Sequence, residues 1–302
     1  MSPRIVRVFP RRTSHTPRDP MVFIGNPPLF RPEADEVHVS VAFTWDLPEA
    51  RRLERAWGDY YPTVKIGGPA LGHQTALNFV PGRYIKRGVT FTTRGCDRVC
   101  PWCLVPKREG RLIEIDQFEK GWIIQDNNFL QASQPHQLRV FDMLRALPND
   151  PEFRRYCKQK RTAGIEFAGG IDARLVNPWF AAQLTTFNFH QIFLAADTAL
   201  AVRELDKARG LLAEIPRNKL RVYTLIGFGN DTIPKATKRL ERVYGLDCIP
   251  HAQLYQPADR HIEYSTAWRA LARLWSRPAL MNSVHRKATE TVQQIKMIAG
   301  DK

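Results

Sequence analysis

Six short apolar runs, rich in β-branched residues, recur between residues 89 and 254, and helical stretches fill most of the gaps between them. They lie at Val89–Thr92, Trp122–Ile124, Gly164–Phe167, Gln191–Ala195, Leu220–Ile226 and Cys248–Leu254. Their starts are about 25 to 40 residues apart, the length of a strand with a returning helix. Helix signals fall at Pro135–Leu147, at Pro178–Phe187 behind the cap Asn177, at Thr198–Arg209, and at Pro234–Tyr244 ending on Gly245. The series predicts an α/β fold, a partial (βα)6 TIM-like barrel, with an open doubly wound sheet as the rival. In both, a ligand site gathers at the C-terminal ends of the strands.

The first 75 residues predict a small α/β, Rossmann-like domain. Strands are expected at Ile5–Phe9, Val37–Phe43 and Thr63–Ile66, with a long proline-rich loop over Arg11–Pro32. Asp46–Trp57 reads as a helix capped by Asp46, because Leu47, Ala50, Leu53 and Trp57 recur at helical spacing and Pro48 suits a first turn. Gly67–Gly68–Pro69 closes this unit or opens a ligand-facing turn. Beyond Pro257 the chain turns helical: Ser265 caps Thr266–Trp275, Arg277–Pro278 breaks it, and Asn282–Ile298 forms a second helix. The expected segments are therefore 1–75, a barrel core over 84–257, and a helical extension over 258–302.

A net charge of +15 is high for 302 residues and suggests a polyanionic partner such as nucleic acid. The excess is spread along the chain without a basic tail, and no RNA-recognition aromatic motif accompanies it. No apolar run approaches the roughly 18 to 20 residues of a membrane span, and MSPRIVRVFPRR lacks the apolar core of a signal peptide. A cytoplasmic protein without membrane partners is expected.

Five cysteines do not make a disulfide framework in a chain of this length, and three of them fall within eight residues. Cys96, Cys100 and Cys103, in RGCDRVCPWCLVPKREG, have a C-x3-C-x2-C spacing directly after the first of the six strands. Three thiolates on one loop can wrap one metal centre. A structural zinc site needs four ligands, and the nearest histidines, His73 and His136, are far along the chain.

This segment resembles the signature of the radical SAM superfamily, which has three cysteines at this spacing and an aromatic before the last, here Trp102. The resemblance covers roughly residues 84–257. It implies that Cys96, Cys100 and Cys103 ligate three irons of a [4Fe–4S] cluster, and that S-adenosylmethionine chelates the fourth. It also implies a reductant such as flavodoxin or ferredoxin, reductive cleavage of the sulfonium bond, and a 5′-deoxyadenosyl radical that abstracts hydrogen from a substrate. A nucleic-acid base or another phosphorylated substrate is the first choice, on the positive charge. The alternative is a nucleic-acid-binding module with a structural zinc.

The resemblance also aligns cofactor contacts. Asp126, Asn127 and Asn128 stand where the family holds the methionine amino group, or else form a polar turn. Gly169 and Gly170 would let backbone approach the cofactor, and Arg174 could meet its carboxylate or sit on the surface. Asp197 stands where the family often binds the ribose, or else starts a helix. Gly227 and Gly229 in LIGFGNDT, with Tyr255, fall near the adenine. The N-terminal unit is similar to a shortened cobalamin-binding domain, with VKIGGPALG like its Gly-Gly turn. It lacks a D-x-H-x-x-G motif, so the expectation is a degenerate, cobalamin-free cap, with a corrinoid bound without histidine as the alternative. Cys157 and Cys248 are too few for a second cluster.

Overall fold

The computed structural model describes residues 3–71 and 83–285. The chain divides into two compact units, one of residues 1–169 with 256–261 and the other of 170–255 with 262–302. The expected segments 1–75 and 84–169 thus lie together in the first unit.

Strands β1 (Ile5–Phe9), β2 (Val22–Ile24), β3 (Glu36–Ser40) and β4 (Val64–Gly67) form a parallel sheet in the order β2-β1-β3-β4. Alternation sets its faces: Val6, Val8, Val37 and Val39 are wholly buried while their neighbours are half-buried. Helix α1 (Leu47–Gly58) covers this face through Ala50, Leu53 and Trp57. The Trp57 indole donates to the Gly25 carbonyl at 3.0 Å and meets Phe23 edge-on, which fastens β2 in the stretch expected to be loop. Two expectations shift here. β3 ends at Ser40 because the chain turns into a 3-10 helix at Thr44–Asp46. Asp46 makes no capping bond to α1; its carboxylate pairs with Arg11 instead.

The rest of the first unit holds β5 (Gly88–Thr90), a hairpin of β6 (Thr93–Arg94) and β7 (Ile113–Glu114) around α2 (Val105–Glu109), and β8 (Gly121–Ile124). Helices α3 (Gln134–Ala146) and α4 (Pro151–Lys160) follow, then β9 (Ile165–Asp172), which crosses the boundary between the units. β8 pairs in parallel with both β5 and β9, and Trp122, Ile123 and Ile124 are buried in it. α3 starts on Ser133, whose hydroxyl accepts from the His136 amide, and α4 on Asp150, which accepts from Glu152 and Phe153.

In the second unit α5 (Pro178–Thr185), β10 (Phe189–Ala195), α6 (Ala199–Leu211), β11 (Leu220–Ile226), α7 (Ile233–Gly245) and β12 (Ile249–Leu254) alternate. β11 pairs in parallel with both β10 and β12. Asn177, Thr198 and Thr232 cap the three helices. Helix α8 (Thr266–Ser276), capped by Ser265, brings Trp275 into an apolar cluster with Ile226, Leu240, Ile249 and Met281. The helix expected from Asn282 already begins at Pro278; its part beyond residue 285 lies outside the described residues. Parallel sheets with interleaved helices make the chain α/β. Among the described residues no helix is long and apolar enough to cross a membrane.

Candidate functional site

The cysteine loop leaves the β5 end of the first unit and returns to β8. Gly95 opens it at φ +75°, where a Cβ would stand 2.0 Å from the Arg111 carbonyl oxygen, so only glycine lets the two limbs approach. The Cys96 amide donates to the Gly110 carbonyl at 3.2 Å. Asp97 pins the same closure by accepting from the Leu112 amide and the Arg111 guanidinium, both at 3.2 Å, which holds its carboxyl below the usual range. The Asp97 amide donates to Gln131 Oε1 at 2.9 Å.

None of the five cysteines forms a disulfide, and Cys96, Cys100 and Cys103 are each half-buried. The Cys103 amide donates to the Cys100 carbonyl at 3.0 Å, closing a tight turn between them. Cys96 Sγ has two donors near it, the Arg98 amide at 3.4 Å and Asn128 Nδ2 at 3.8 Å. Among the described residues no three His, Cys, Asp or Glu side chains stand close enough together to hold a metal ion, so the loop would have to tighten to bring its thiols onto one centre.

His136 is buried: its Nδ1 lies 2.9 Å from Arg139 and 3.7 Å from Glu114, and its Nε2 has no hydrogen-bond partner among the described residues. His73 lies outside the described residues.

The residues after β8 separate into different roles. Asp126 is buried with both oxygens occupied: Oδ1 accepts from the Thr92 and Thr93 amides at 2.6 and 3.0 Å, and Oδ2 from the Thr92 hydroxyl. Burial pushes its carboxyl up to about 6, against those donors. Asp126 therefore ties β8 to the chain after β5. Asn127 donates to Glu109 Oε2 at 2.5 Å, and Glu109 also pairs with Arg94 at 2.5 Å. Asn128 is the one left with capacity, because its buried Oδ1 has no partner while its Nδ2 faces Cys96.

Gly169 lacks a side chain for a local reason. A Cβ there would fall 1.8 Å from the Asp126 carbonyl oxygen, so its glycine serves the approach of β9 to the chain after β8. Gly170, at φ +93°, has the Tyr223 ring 3.4 Å from its Cβ position.

In the second unit Asp197 Oδ1 accepts from the Leu225 amide at 2.9 Å, so this carboxylate bridges to β11 and the helix start belongs to Thr198. Arg174 is exposed and forms a two-pronged pair with Asp172, at 2.7 and 2.8 Å. Gly227, at φ +79°, is packed against Tyr264, whose hydroxyl donates to the carbonyls of Gly227 and Tyr255 at 3.2 and 2.9 Å. Gly229, at φ +58°, has open space around its Cβ position. Tyr255 is half-buried and meets Phe228 edge-on at 4.9 Å. Trp102 is half-buried within the cysteine loop.

Within the first unit, then, the structure gathers Cys96 and Asn128, with Asn127 one residue away. Sequence reasoning missed Glu109, Arg94 and Gln131, which brace the loop. The KREG run after the cysteines carried a signal for Glu109, since a carboxylate closing a five-residue helix beside three basic neighbours needs a cation partner. No protein-family model matches the chain, and no curated protein matches it.

Proposed function

We propose that the chain is a radical SAM enzyme with a partial (βα)6 barrel core. Cys96, Cys100 and Cys103 would hold a [4Fe–4S] cluster, and the methionine end of S-adenosylmethionine would lie beside Asn128. The observation that carries the reading is the buried, unpartnered Oδ1 of Asn128 next to a C-x3-C-x2-C loop at a strand end. A buried carbonyl oxygen without a donor is costly, and an ammonium group would satisfy it.

When bound, the cluster supplies the electron that cleaves the cofactor's sulfonium bond. The chain's own groups supply position. The Arg98 amide and Asn128 Nδ2 donate toward Cys96 Sγ and orient it. Glu109 holds Asn127, and Gly95 and Asp97 close the loop. A reduced, cytoplasmic compartment with a flavodoxin- or ferredoxin-type donor suits three free thiols.

Replacing all three loop cysteines by alanine tests the site. The variant should bind no iron and release no 5′-deoxyadenosine from S-adenosylmethionine, while folding as before. Product from the triple variant would remove the cysteines from the mechanism.

A further inference from the structure

The first unit contains a cavity of about 860 Å³ that the cysteine chemistry leaves unused. Its size falls in the range of small-molecule sites. Its walls include Phe9, Ser40 and Gly67, the last residues of β1, β3 and β4. Its lining also includes Phe91 and Gln125, which follow β5 and β8. In the order β2-β1-β3-β4 the connections that follow β1 and β3 run in opposite directions, and ligands of parallel sheets bind over that kind of switch point, at the carboxyl ends of the strands.

The lining specifies a chemistry. Four aromatic side chains, Phe9, Phe43, Tyr84 and Phe91, face the space. The buried Oε1 of Gln125 has no hydrogen-bond partner among the described residues, so the cavity presents an acceptor waiting for a donor. The charged groups are mostly committed to one another: Arg11 to Asp46, Lys65 to Glu36, and Arg94 to Glu109. Asp46 stands at the start of α1, where a phosphate would otherwise be welcome. His38 is held between Glu36 and Tyr84, and burial, with the Lys86 charge, lowers the pKa of His15. Arg83 is exposed and lies 5.3 Å from the Tyr84 ring centre.

We propose that this cavity binds a neutral, planar nitrogen heterocycle, stacked on the aromatic walls and donating an N–H to Gln125 Oε1. A base, free or as its nucleoside, is the source the lining favours over a base within a polynucleotide, because the cavity's paired cations offer little to a phosphate chain. Gln125 and Arg94 lie within three residues of Asn128 and Cys96 along the chain, so the heterocycle would sit next to the proposed radical chemistry as its substrate. That last clause rests on the proposed function; the binding itself does not.

The test uses the full chain and 2-aminopurine, whose fluorescence is quenched on stacking, as free base, as riboside, and within a single-stranded oligonucleotide. The base and riboside should quench saturably at one site per chain, with affinity changing less than about twofold over a tenfold range of salt. Gly67→Phe adds a ring at the cavity wall, where a Cβ meets nothing within 4 Å, and should weaken binding at least tenfold. Gln125→Leu should weaken it about tenfold and keeps the test alive if Gly67→Phe does not fold. No saturable quench, or binding indifferent to both variants, overturns the site. Binding of the oligonucleotide alone, with a steep salt dependence, overturns it in favour of a nucleic-acid surface. A chain that cleaves S-adenosylmethionine but ignores 2-aminopurine refutes this inference alone, and one that binds the base without cleaving the cofactor refutes only the proposed function.

Discussion

Thr92 and Asp126, 34 positions apart, are joined by two hydrogen bonds, from the Thr92 amide to Oδ1 at 2.6 Å and from its hydroxyl to Oδ2. The pair is buried and fixes the start of the cysteine loop against the strand end that carries Asn128. Asp126→Ala leaves three donors without an acceptor and should cost about 3 kcal/mol in denaturant unfolding. A loss below about 0.5 kcal/mol would show that the tie is not structural.

The same carboxyl makes stability depend on pH. Its folded pKa is raised to about 6 from 3.8, so between those values the folded chain holds a proton that the unfolded chain has released. This contribution is therefore greatest below pH about 4 and is lost as pH rises toward 6. His251 acts in the opposite direction: burial, with the Arg221 charge, holds it down to about 4, so its contribution is lost as pH falls from 6.5. The difference between wild type and Asp126→Asn cancels the histidine. Urea midpoints at several pH values should show that this difference changes between pH 4 and 6, and a constant difference would contradict the assignment.

Cysteine reactivity should separate the thiols by position. Burial pushes Cys248 up to about 12, and its side chain is inaccessible, whereas Cys96, Cys100 and Cys103 are half-buried. With cluster absent, iodoacetamide and mass mapping should find the three loop cysteines alkylated and Cys248 untouched until the chain is unfolded. Early modification of Cys248 would contradict the packing of β12.

Gly169→Ala distinguishes packing from cofactor contact. The added methyl overlaps the Asp126 carbonyl, so unfolding should become easier by at least about 2 kcal/mol even without any cofactor. A stable variant that binds S-adenosylmethionine poorly would return Gly169 to the ligand site.

The sequence shows what repeats and hides what is long-range. The strands and the larger helices were legible because apolar residues recur at strand or helix period, as Val6, Val8, Val37 and Val39 do. Helix α4 was not, since among its ten residues only Phe153 is buried and the rest is too polar for a periodic signal. β2 has three residues inside a proline-rich stretch, and its strand depends on Trp57 and β1 for its place. The cysteine spacing was visible at once. The roles around it were not: Asp126, Asn127 and Asn128 are adjacent in the chain, and only tertiary contacts assign them to Thr92, Glu109 and Cys96. Likewise Asp197 could be read as a ribose ligand or a helix start, while its bond to Leu225 comes from a strand 28 residues away.

Asn128→Leu examines the cofactor side of the site directly. It removes the unpartnered oxygen and the long 3.8 Å contact to Cys96 but leaves all three cysteines in place, so S-adenosylmethionine binding to the reconstituted protein should fall about tenfold with iron content unchanged. Equal loss of iron would make Asn128 a support for the loop instead.

Anaerobic reconstitution with iron and sulfide, followed by dithionite and S-adenosylmethionine, tests the central claim most directly. The account predicts about four irons per chain and formation of 5′-deoxyadenosine. A colourless chain that takes up zinc and yields no 5′-deoxyadenosine would contradict it.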